Sequence, residues 1–146
     1  MKKRIKITLW ATGSLIVLIS IGFLISFWPF LPIQNAIDNR NPARKTEMAE
    51  ITVRWGRLAP FPDEAENFAI YTEGSFLTRT FKGSFTASQD VITSWVEQSP
   101  GLQDATVEMM SEKKARYIVS PSGGANYAEV VIDYESGKVE FVVSWS

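Results

Sequence analysis

Carboxylates are the main reactive groups in this chain, which carries 16 Asp and Glu but no histidine and no cysteine. Without histidine the commonest general base and metal ligand is missing. Without cysteine there is neither a thiolate nor a disulfide. Ser–His and Cys–His mechanisms are therefore excluded by composition. Two groups of acids could still attempt chemistry. Asp63, Glu64 and Glu66 crowd the proline-stiffened stretch from Pro60 to Asn67. A calcium loop needs a longer set of oxygen ligands around a glycine turn, and glycosidase carboxylates must face each other across a cleft. Neighbours on one short loop do neither, so this stretch reads as a solvated connector. Glu129, Asp133 and Glu140 lie in strand-like sequence and are the acids a carboxylate-dependent enzyme would use. No nucleophile and orienting group accompany them, which makes that reading the weakest of three considered below.

Ser122-Gly123-Gly124-Ala125 is the remaining candidate, since glycine loops can cradle phosphates. A phosphate loop of the Walker type needs a later Gly-Lys-Ser/Thr and a following helix. Strand-like sequence follows here instead, so the loop reads as a flexible hairpin connection. No catalytic, cofactor-binding or metal-ligating residue is assigned from the sequence, and no cofactor is expected.

The elements that would position these residues begin with an apolar run. Ile7 to Phe27 is twenty-one residues without a charge. As a helix rising about 1.5 Å per residue it would be roughly 32 Å long, enough to cross a bilayer core. Lys2, Lys3, Arg4 and Lys6 precede it, and by the positive-inside rule they hold the N-terminus in the cytoplasm. Trp28, Pro29 and Phe30 suit the far interface. A cleaved signal peptide is the competing reading, but its apolar region is usually shorter, about 7–15 residues, and ends at a small-x-small site. Exit into Phe27-Trp28-Pro29-Phe30-Leu31-Pro32 favours a retained signal-anchor. Gly22 and Ser26 form a small-xxx-small pair, a motif too degenerate to imply helix pairing by itself.

The expected organisation is thus a basic cytoplasmic tail (1–6), a transmembrane signal-anchor helix (7–28), a juxtamembrane spacer (29–41) and an extracytoplasmic α+β domain (42–146). Four of the 15 Lys and Arg precede the span and 11 follow it, whereas all 16 acids follow, leaving the exported part at −5. A mildly acidic domain gives no support to nucleic-acid binding. The absence of cysteine and of any Asn-x-Ser/Thr sequon fits a bacterial envelope, with the protein single-pass in the cytoplasmic (inner) membrane. Expected partners are the lipid bilayer and an envelope protein.

Within the domain, Asn41-Pro42 gives a helix start, and Met48, Ile51, Trp55 and Leu58 form a stripe that Pro60 ends. Ile51 to Trp55 also alternates as a strand would, but the start and stop signals favour helix. Phe68–Tyr71 and Phe76–Thr86 read as a hairpin turning at Glu73-Gly74-Ser75. A second helix is expected from Gln89 to Gln98, capped by Thr86 or Ser88, with Trp95 facing the sheet. Leu102 to Lys114 reads as an irregular connection. Strands follow over Ala115–Ser120, Tyr127–Tyr134 and Lys138–Trp145. The predicted class is α+β, an antiparallel sheet of about five strands with one or two helices on one face.

Three functions fit this plan: a binding or scaffolding module, a small-ligand or peptide sensor, and the carboxylate enzyme. The first is favoured. Its candidate interaction edge is the last strand, Val139, Glu140, Phe141, Val142, Val143, Ser144 and Trp145, since no later element follows to cover it. A central position is the equal alternative, because sequence order does not fix order in a sheet.

Overall fold

The computed structural model describes residues 39–74 and 78–146. The expected span (7–28), the tail before it and most of the spacer lie outside the described residues, as do Ser75, Phe76 and Leu77 of the first hairpin. Among the described residues no helix is long and apolar enough to cross a membrane.

The first helix, α1, runs Pro42–Gly56. Asn41 caps it, its side chain accepting from the Ala43 N–H, and Pro42 occupies the first position, where a missing N–H costs nothing. Its end is a left-handed Arg57 whose N–H returns to the Arg54 carbonyl, while the Leu58 N–H reaches Val53. The buried positions are Met48, Thr52 and Gly56, with Ile51 and Trp55 half-buried beside them. The expected stripe therefore faces the core, with Met48 and Leu58 buried and Ile51 and Trp55 packed beside them, and Thr52 and Gly56 join it. Threonine and glycine let the helix lie closer to the strands than a row of large side chains would.

Six strands form one antiparallel sheet: β1 (Glu66–Gly74), β2 (Arg79–Thr86), β3 (Thr106–Ser111), β4 (Lys114–Val119), β5 (Tyr127–Asp133) and β6 (Lys138–Trp145). Their order is β1-β2-β6-β5-β4-β3. Period-two alternation sends Ile70, Phe81, Phe85, Val139, Phe141, Val143, Ala128, Val130, Ile132, Ala115 and Val119 to one buried face. The helices α1, α2 (Gln89–Gln98) and the single turn α3 (Pro100–Gln103) contribute their apolar residues to the core on this face. Ser88, rather than Thr86, caps α2, accepting from the Val91 N–H.

Phe61, on the connector after α1, holds the layers together. It stacks on Phe141 at 4.8 Å between centroids and also touches Phe68, Phe85 and Trp95. Hydrogen bonds fix the connector there. The Ala59 N–H donates to the buried Ser99 hydroxyl, Ser99 donates to the Trp95 carbonyl, and the Trp95 indole donates to the Ala59 carbonyl.

One expectation needs correction: Leu102–Lys114 is not an irregular connection, since it contains the end of α3 and the whole of β3. The glycine loop is the connection of the β4–β5 hairpin, and it is tied to the end of α1. Ser122 donates through its N–H to the Trp55 carbonyl and through its hydroxyl to the Arg54 carbonyl, both at 2.8 Å. It thereby supplies a donor to the Trp55 carbonyl near the end of α1 and a second donor, beside the Arg57 N–H, to the Arg54 carbonyl. Gly123, at φ +63°, passes directly over the Trp55 ring where a Cβ would not fit.

Candidate interaction surface

The strand expected to offer a free edge does not have one. β6 pairs with β2 on one side, Arg79 opposite Trp145 through Thr86 opposite Lys138, and with β5 on the other, Tyr127 opposite Ser144 through Asp133 opposite Lys138. Val139, Phe141 and Val143 are core residues, and Glu140, Val142 and Ser144 face the open side of a central strand. β6 is covered on both sides because β2 of the first hairpin and β5 flank it.

Among the described strands the edges are β1 and β3, and they are treated differently. β1 is broken by a bulge between Glu66 and Ala69, with Asn67 in the left-handed region at φ 53°. Further along, the Asn39 amide imitates a neighbouring strand: its oxygen accepts from the Thr72 N–H at 2.8 Å and its nitrogen donates to the Thr72 carbonyl at 3.3 Å. A bulge and a plugged backbone pair are standard ways to blunt an edge.

β3 is paired to β4 alone among the described strands. All six of its residues are exposed, including Val107 at 49%, Met109 at 64% and Met110 at 51%. Val107 lies opposite Tyr117 and Met109 opposite Ala115, so both belong to the core face of the sheet. They stay bare because α3 ends at Gln103 and packs on β4, one strand short of the edge. Beyond them Tyr117 and Tyr134 share a hydrogen bond at 3.0 Å between phenol oxygens. Burial, and then that bond, pushes the Tyr134 phenol well above the usual tyrosine range. β3 carries no proline or lysine and one charge, Glu108, which pairs with Arg116 at 3.6 Å. Apart from that charge, the protective device seen among the described residues is the irregularity between Met109 and Ser111.

A second feature is a groove of about 580 Å³ between α1 and the Pro60–Ala65 connector. Ala49, Val53, Phe61 and Phe68 form its apolar walls, and Lys45, Glu50 and Asp63 stand at its rim. Of the connector acids, Asp63 is the one placed there; Glu66 is the first residue of β1.

Of the three strand acids, Glu129 and Glu140 line one small cavity of about 240 Å³ on the open face of the sheet together with Tyr71 and Lys82, whereas Asp133 lies outside it. Glu129 accepts from the Tyr127 hydroxyl at 2.6 Å and lies 3.5 Å from Arg116, and that bond raises the Tyr127 phenol. Glu140 pairs with Lys138 at 2.7 Å. Asp133 accepts the Glu135 and Ser136 N–H groups, closing the turn before β6, and those bonds, that from Ser136 first, hold its carboxyl below the usual range. Among the described residues no group of three or more acids gathers as a metal site would require.

No protein-family model, curated protein or solved structure matches this chain.

Proposed function

We infer that this chain is a non-catalytic binding or scaffolding module, tethered to the cytoplasmic membrane by residues 7–28 and recognising an envelope protein through the β3 edge. The anchor rests on the uncharged run and the four cations before it. The observation that carries the recognition site is the contrast between the edges. Asn39 plugs β1, whereas among the described residues nothing pairs with the outer backbone of β3 beside exposed Val107, Met109 and Met110. An open edge of this kind accepts an added strand, the backbone supplying affinity and alternate side chains supplying selectivity.

Photo-crosslinking in intact cells tests this reading. A photoreactive residue at Met109 should give adducts with another polypeptide, and the same residue at Glu73 on β1 should not. Equal yields from both edges, or no intermolecular adduct from Met109, would remove β3 as the recognition element.

A sensor is the second reading, and the groove beside α1 is what favours it. Its volume lies within the range of small-molecule pockets, about 300–1,000 Å³, and aromatic walls with a few rim charges suit an apolar ligand.

A further inference from the structure

We propose that the strand added to β3 comes from a second copy of this chain, paired antiparallel about a two-fold axis through Val107. This deepens the reading of β3 as a recognition edge and rests on it.

The geometry of a self-paired strand narrows the choices. In a continuous antiparallel sheet, residues directly opposite each other share a face, so the axis must pass through a residue and not between two. An axis at Glu108 would set two carboxylates against each other, while Arg116, the cation opposite Glu108, is already shared between Glu108 and Glu129. An axis at Met109 would run the pairing into the bulge between Met109 and Ser111.

An axis at Val107 avoids both problems. Thr106 then lies opposite the partner's Glu108, hydroxyl to carboxylate, on the outer face. Ala105 lies opposite the partner's Met109 on the core face. The two Val107 side chains meet at the centre, and the two Met109 side chains extend the apolar strip on either side. All the residues used, Ala105 to Met109, precede the bulge. The strip is the part of the core face that α3 leaves bare, so pairing covers the large apolar side chains the helical layer does not reach.

The chain has no native cysteine, which makes disulfide scanning of the full chain in its membrane a clean test. Residues directly opposite in a ladder have Cα atoms about 4.5–5.5 Å apart, within the span a disulfide bridges. Val107→Cys should therefore give a covalent dimer of twice the chain mass under mild oxidant. Thr106→Cys and Met109→Cys should give at least tenfold less, because each would sit about two or four residues from its own copy, too far to bridge. Val107 is half exposed, so its replacement leaves the core intact. A maximum at another position, or equal yields at all three, overturns the Val107 axis. No dimer at any position overturns the second copy. If Met109 nevertheless crosslinks to a different polypeptide, β3 remains the recognition edge and only the partner's identity is refuted.

Discussion

Trp95→Ala is expected to lower folding stability by about 3–5 kcal/mol, the range for removing a large aromatic from a core. The ring is 3% exposed, lies edge-on to Phe85 at 5.3 Å and stacks on Phe61 at 6.2 Å. Its indole N–H also donates to the Ala59 carbonyl, so truncation leaves that oxygen unpaired as well as opening a cavity. Trp95→Phe separates the two effects. It keeps most of the ring contact and forfeits the hydrogen bond, for a loss of about 1–2 kcal/mol. Urea unfolding of the two variants beside the wild type measures both. A loss under about 1 kcal/mol in the alanine variant would mean that Trp95 does not hold the connector to the sheet.

The second large effect is expected at Gly83, in the middle of β2. It lies opposite Ile70 of β1 and Phe141 of β6, on the core face. The Phe141 ring covers the space where a side chain would stand. A Cβ at position 83 would collide with that ring and with the Ala69 carbonyl oxygen. The ring can turn only by disturbing its stack on Phe61, and the carbonyl belongs to a paired strand. Gly83→Ala should therefore destabilise by about 3 kcal/mol, at the upper end of overpacking effects. Combining it with Phe141→Leu should lose less than the two single losses together, since the smaller side chain removes half of the collision. Additive losses would show that the ring is not what excludes a side chain at position 83.

Local signals explain which parts of this fold could be read from residues. Gln89–Gln98 and Lys138–Trp145 coincide with α2 and β6, and the Asn41-Pro42 start of α1 is where it was expected. Each has caps or a long alternation that no neighbour overrides. β3 was missed because alternation records burial, and none of its six residues is buried. Whether β6 lies at an edge or in the centre stays open in the sequence for another reason. Pairing 138–145 with 79–86 is a contact between distant segments, and nothing within either strand specifies it. The stripe of α1 is legible from its large residues, but the buried Thr52 and Gly56 beside it are not, because neither is a strongly apolar side chain. The candidate surface inherits these gaps, since an interaction edge could be located only after the strand order was known.

The claim that β3 is a recognition edge predicts that its backbone is covered in the native membrane. Hydrogen exchange reads this directly, because amides at an open edge exchange freely and those in a completed ladder are protected. For the full chain, the β3 amides over Thr106–Ser111 should exchange markedly more slowly in native membranes than after dilution into detergent. Amides over Ala69–Thr72 on the plugged β1 edge should exchange alike in both. Unchanged exchange of β3 between the two conditions would contradict its role as the surface through which this domain binds.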